Sequence, residues 1–205
     1  MKYVIMADGN MTRWVAENGV PKHLLVFDGE TLLQRLVRQL RTADRDCRII
    51  ITSHNKAYEV SGATRYEPRD NRLEIDRFTW ELIEDNMCFL YGDTYYTDDA
   101  VSFICTGAPE EDLHFVGNGR SIVAVIARSA EVLRRHITLV REAFLTGACD
   151  DCRGWQVYQS YAGLPLGKPS IAGSFTRLQD ETCGFDTWQN YQDFLKREKG
   201  SDGCI

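Results

Sequence analysis

The residues most able to do chemistry stand near the start of the chain. A short apolar run rich in β-formers, residues 2–6 (KYVIM), breaks into a polar, glycine-containing turn of Ala7, Asp8, Gly9 and Asn10. Thr12 and Arg13 follow, then a loop, then Pro21 and Lys22. An apolar strand that opens into such a turn is a common way for α/β sheets to build an anion site. The N–H groups of the turn face the anion, and nearby cations close over it. Arginine supplies a planar fork of donors and lysine a compact point charge, so the two types suit different oxygens of a phosphate chain. Asp8 is the discordant member, because a carboxylate beside a polyphosphate repels it. Three placements for it stay open: turned away, bonded to a base or ribose, or bound to metal.

This pattern resembles the nucleotidyltransferase family that joins an NTP to a phosphorylated small molecule. That family opens on a strand, then L-A-A-G-x-G-T-R, a loop, then P-K. Here the chain reads I-M-A-D-G-N-M-T-R, with Pro21 eight residues beyond Arg13 and Lys22 next. Tyr91-Gly92-Asp93 is similar to the family's G-D metal motif. Phe185-Asp186-Thr187 with Asn190-Tyr191 is similar to its I-D-T-x-x-D-(L/Y) element. The three matches occur in the family's order and span nearly the whole chain. Asp8 stands for a small residue, Met11 for a glycine and Asn190 for an acid.

The resemblance implies a three-layer α/β/α, Rossmann-like fold with a mixed, mainly parallel sheet. It implies transfer of NMP from an NTP to a phosphorylated small molecule or sugar-1-phosphate, with pyrophosphate released and Mg2+ as cofactor. Arg13 would clamp the β- and γ-phosphates, and Lys22 would bridge to the α-phosphate. Ala7, Asp8, Gly9, Asn10 and Thr12 would form the nucleotide loop. Asp93 and Asp186 would be the metal ligands, with phosphate oxygens and water completing the shell. Asp186 has a competing role as cap of the helix that begins after it. Glu74 or Asp76 falls where the family places a base-contacting loop, although acids at a helix start are the plainer expectation. Lys168 would hold the attacking phosphate, beside acceptor-pocket walls at Trp155, Gln156, Tyr158 and Tyr161.

The loop spacer resembles the sugar-1-phosphate and phosphocholine branches more than the molybdenum-cofactor guanylyltransferases, and CTP is slightly favoured. Capsule or other surface-polymer precursor synthesis is the context that the family suggests. Two other readings stay open. A glycosyltransferase of similar fold would want a second acid after Asp93, where Thr94 stands. A nucleotide-binding module without activity would account for Met11 and Asp8. A dinucleotide oxidoreductase is disfavoured, since no G-x-G-x-x-G is present.

Composition bounds the rest. The chain has 205 residues, 43% hydrophobic and 26% charged, in keeping with one globular domain over 1–205. Within it, 1–110 would bind nucleotide and 111–205 the acceptor. A net charge of −6 argues against nucleic acid as partner. No apolar run is long enough to span a membrane, and residues 2–6 are too short for a secretory core. Seven cysteines, an odd number, read as reduced thiols in a cytoplasmic protein. A homodimer is compatible with all of this. Cys149-x-x-Cys152 lacks a second pair for zinc, and His23, His54, His114 and His136 have no spacing that suggests a metal or a triad.

Hydrophobic period places the elements that must position these residues. Strands are expected at 2–6, 48–52, 63–66, 87–91, 113–117, 121–127 and, from weak alternation, 155–161. Helices are expected at 30–42, 74–84 (with Ile75, Phe78, Leu82 and Trp80 inward), 97–104, 131–145 and 187–199. A β-loop-α-β start favours a parallel first pair. Ligands of open α/β sheets collect at the carboxyl edge of the strands, where the Gly9 turn and Asp93 both fall.

Overall fold

A computed structural model of the chain describes residues 1–9, 14, 18–119, 121–167 and 170–201, with the side chains of 198–201 left aside. Its centre is β1 (Lys2–Met6), buried at every position. β1 pairs in parallel with β4 (Arg48–Thr52) on one side and β6 (Met87–Tyr91) on the other, so that Ile5 lies between Ile51 and Leu90. β5 (Thr64–Tyr66) extends the sheet beyond β4 in parallel. On the other flank β9 (Ile122–Ala127) runs antiparallel to β6 and to β8 (Leu113–Gly117), and β10 (Phe175–Arg177) closes the edge parallel to β8. The strand order is β10-β8-β9-β6-β1-β4-β5.

Alternation along β1 shows why this sheet needs cover on both faces. Tyr3 and Ile5 pack into one cluster with Leu33, Leu36, Val37 and Leu40 of α1 (Leu32–Ala43) and with Val101 of α2 (Asp98–Ser102). Val4 and Met6 pack into the opposite cluster with Leu133, Ile137 and Val140 of α3 (Ala130–Leu145) and Val157 and Tyr158 of α4 (Gly154–Tyr161). A strand with two buried faces is an apolar run, as residues 3–6 of β1 and all of β6 are, while Lys2 at the start of β1 pairs with Glu84 at 2.7 Å. The result is the expected three-layer α/β/α arrangement with a mixed, mainly parallel sheet. α1 begins on a capping box: Gln34 N–H donates to the Thr31 hydroxyl at 3.2 Å, and Thr31 N–H donates to Gln34 Oε1 at 2.9 Å. Among the described residues no helix is long and apolar enough to cross a membrane.

Two expected elements differ. Residues 155–161 form helix α4, not a strand. The helical set is Gly154, Val157, Tyr158 and Tyr161, and the aromatic residues between them mimic alternation. The helix expected over 74–84 is two separate 3-10 turns, Glu74–Phe78 and Trp80–Leu82. Thr79 between them adopts φ 16°, ψ 86°, which breaks the ladder and leaves Trp80 51% exposed instead of inward.

A third cluster lies beyond the sheet edge. Phe27 of β2 (Val26–Phe27) sits 5.1 Å from Tyr95, 5.7 Å from Phe185, 5.3 Å from Tyr191 and 5.6 Å from Phe194, ring centre to ring centre. This knot ties α5 (Trp188–Ser201) to the first half of the chain. Phe27 is 3% exposed, so Phe27→Ala should cost about 3–5 kcal/mol of unfolding free energy. A urea titration that finds less than about 1 kcal/mol would show that the knot does not hold the helix.

Candidate active site

The site forms where β1 and β6 end together. Gly92 N–H donates to the Met6 carbonyl at 3.0 Å, which carries the ladder one residue past β6. A Cβ on Gly92 would lie 3.0 Å from His23 Cδ2, from Ile5 Cγ2 and from the Met6 oxygen, so close packing dictates glycine there. The next residue is Asp93. β7 (Thr94–Tyr95) then pairs antiparallel with β11 (Cys183–Gly184), with Thr94 opposite Gly184 and Tyr95 opposite Cys183. Asp93 precedes Thr94, and Phe185-Asp186 follows Gly184. Both aspartates therefore leave the same end of this two-strand clip.

Asp93 and Asp186 line one cleft of about 600 Å3, and Lys22 lines it with them. The cap expected at Asp186 is made by its neighbour. Asn190 N–H donates to the Thr187 hydroxyl at 3.2 Å, and Thr187 N–H donates to Asn190 Oδ1 at 3.2 Å. Asn190, which departs from the family pattern, thus completes a capping box and leaves Asp186 to the cleft. Lys22 opens a 3-10 turn after Pro21, and its Nζ lies 4.7 Å from the centre of the Trp14 ring. Trp14 donates its indole N–H to the Val20 carbonyl at 2.9 Å and leans on Trp188 of α5 at 6.2 Å.

Asp8 is turned into a polar cluster at the ends of β1 and β4. It accepts from the His54 backbone N–H at 2.9 Å, lies 2.8 Å from His54 Nδ1, and accepts from Asn71 Nδ2 at 2.8 Å. Of the three placements open to it, the carboxylate takes the one directed at neighbouring protein groups. Ala7 is 2% exposed and continues the ladder, its N–H donating to Thr52 at 3.1 Å. Asp76 is the helix-start acid, not an exposed base contact. It is buried, accepts from the Arg72 and Leu73 amides at 3.0 and 2.7 Å, and pairs with Arg141 of α3. Asn10, Thr12, Arg13 and Lys168 lie outside the described residues.

Sequence reasoning missed Arg77 and Arg153, which line the same cleft. Arg153 stands just before α4, so reading that segment as a helix would have drawn attention to it. Nothing in the local pattern marks Arg77. Cys149 and Cys152 are buried thiols, and burial, with Cys149 beside it, pushes Cys152 up to about 11. Among the described residues no group of three or more His, Cys, Asp and Glu side chains could enclose a metal.

His23 supports the site from below. It is 2% exposed, stacks on Tyr58 at 5.0 Å, and its Nδ1 has no partner among the described residues. Burial is the main reason its pKa falls to about 4; Asp93 opposes the fall and Arg77 adds to it. The folded protein keeps His23 neutral down to that pH, whereas the unfolded chain takes up a proton near the ordinary 6.5. Stability from this group is thus complete above pH 6.5 and is lost as pH falls towards 4. At about 1.4 kcal/mol per pH unit, the loss totals about 3 kcal/mol. Urea unfolding of wild type and His23→Phe across this window should give curves that diverge by that amount at the acid end. Parallel curves would remove His23 as the source.

No family model and no curated protein matches the chain. Solved structures do. Rv0371c from Mycobacterium tuberculosis is 16% identical with a TM-score of 0.56, over 95% of this chain and 96% of its own. The CTP:phosphocholine cytidylyltransferase LicC from Streptococcus pneumoniae is 14% identical with a TM-score of 0.53, over 95% and 97%. A nucleoside-diphosphate-sugar pyrophosphorylase from Vibrio cholerae is 11% identical with a TM-score of 0.58, over 96% and 100%. At such identities the likeness establishes architecture: the chain shares the α/β/α fold of these structures along nearly its whole length.

Proposed function

We propose that this protein is a nucleotidyltransferase that moves NMP from an NTP to a phosphorylated small molecule. A phosphate oxygen of the acceptor attacks the α-phosphorus, the bond to the β-phosphate oxygen breaks, and pyrophosphate leaves. The main obstacle is charge, so catalysis consists of positioning and neutralisation. The observation that carries the reading is the convergence of Lys22, Asp93 and Asp186, far apart in sequence, on one cleft at the carboxyl ends of β1 and β6. The overall likeness to a cytidylyltransferase and a sugar-nucleotide pyrophosphorylase supports it.

Two carboxylates that leave one clip are hard oxygen donors of the kind Mg2+ takes, with substrate oxygens and water as the remaining ligands. The residues present fit that ion. When bound, it would offset charge on the phosphates. Lys22 contributes a mobile cation beside them, seated on Trp14. Arg13 is the expected partner for the β- and γ-phosphates. CTP is the favoured nucleotide, and a small phosphomonoester or sugar-1-phosphate the favoured acceptor. Surface-polymer precursor synthesis in the cytoplasm is the setting that this reading fits.

Pyrophosphate release, measured with NTPs against a panel of phosphomonoesters and sugar-1-phosphates in Mg2+, tests the proposal. One pair should turn over. Lys22→Ala and Asp93→Asn should each lower kcat by about 10²–10³-fold, the scale of losing one charge-stabilising group. Variants within tenfold of wild type would return both residues to ordinary surface roles.

A further inference from the structure

The cleft is lined by three cations beyond those the motifs name, Arg77, Arg153 and Arg197, and the first two share a partner. Arg77 belongs to the turn Glu74–Phe78, and its guanidinium lies against the glycine of the first loop. A Cβ on Gly9 would fall 2.8 Å from Arg77 Nη2, 3.0 Å from Cζ and 3.3 Å from Nε. Only a residue without a side chain lets the arginine rest there. Arg153 stands at the start of α4 and lines the same cleft.

Glu74 joins the two. Its carboxylate lies 3.6 Å from Arg77 Nη1 and 3.4 Å from Arg153 Nε. Both distances exceed the roughly 2.7–2.9 Å of a charge-assisted hydrogen bond. One carboxylate thus holds two guanidinium groups in place without saturating either. Asp151 takes one further nitrogen of Arg153 at 3.0 Å. Among the described residues Arg77 has no other ion pair, and its side chain is 25% exposed. Two planar forks joined by a shared acid and facing a cleft suit the oxygens of a phosphoryl group.

We propose that Arg77 and Arg153, bridged by Glu74, form a phosphate-recognition pair on the cleft wall. The inference rests on the reading of this cleft as a phosphoryl-transfer site. The phosphoryl group has two possible sources, the phosphate chain of the nucleotide and the phosphomonoester of the acceptor.

Calorimetric titration with inorganic phosphate and with pyrophosphate, on the full chain, tests the pair. Arg77→Gln and Arg153→Gln should each weaken inorganic phosphate at least tenfold while the far-ultraviolet circular dichroism and Tm stay at wild-type values. Loss confined to inorganic phosphate assigns the pair to the acceptor; loss of pyrophosphate as well assigns it to the nucleotide. Both probes binding both variants within twofold of wild type, or neither binding wild type, overturns the pair. Lys22→Ala separates this failure from a wider one. If that variant alone loses pyrophosphate, the transfer reading stands and the arginine pair does not. Absence of turnover with every NTP and acceptor counts against the transfer reading itself.

Discussion

The site depends on one short piece of antiparallel pairing. The β7–β11 clip joins Thr94 and Tyr95 to Cys183 and Gly184, residues distant in sequence. The central sheet fixes the position of Asp93 through the Gly92 amide on Met6, but it says nothing about Asp186. The clip brings the second aspartate to the first, and beside it Thr97 N–H donates to the Thr182 hydroxyl at 3.2 Å and Asn118 Nδ2 to the Thr182 carbonyl at 3.3 Å. The aromatic knot around Phe27 clamps the clip from outside, since Tyr95 belongs to both and Phe185 directly follows Gly184 of the clip. Closing so long a loop costs chain entropy, and the buried rings of the knot offset it.

The electrostatic design follows from the same geometry. The chain carries a net charge of −6, yet the cleft mixes Lys22, Arg77, Arg153 and Arg197 with Glu74, Asp93, Asp151, Asp186 and Asp193. The acids of the site divide by role. Asp93 and Asp186 are held by backbone pairing and face the cleft. Asp8 and Asp76 are engaged with amides and side chains around them. Asp8, at a position where the resembling family keeps a small residue, is accommodated because His54 and Asn71 receive its carboxylate. The departure at position 8 therefore does not by itself put a free charge against a phosphate chain.

The sheet was legible in the sequence because a strand buried on both faces carries an apolar run, and YVIM within β1, III within β4 and MCFLY of β6 are such runs. The aspartate after β6 was legible for the same reason, since a strand end locates the residue that follows it. Period failed where aromatic side chains obscured it, in α4, and where a side chain competed with the helix ladder, at Asp76 and Thr79. Arg77 was invisible because its place is set by contact with Gly9, a residue distant in sequence. The capping box of Thr187 and Asn190 was hidden behind a motif that expects an acid at position 190.

The central claim is that the two aspartates and Lys22 make one nucleotide site. Thermal unfolding of wild type and Asp93→Asn with CTP, UTP, GTP, ATP and dTTP, with and without Mg2+, tests it most directly. A ligand at 100 times its Kd adds about 2.7 kcal/mol, a shift of several degrees. The account predicts that one NTP raises the wild-type Tm only with Mg2+ and that the Asp93→Asn variant loses the rise. No rise with any NTP, or an equal rise in the variant, would contradict it.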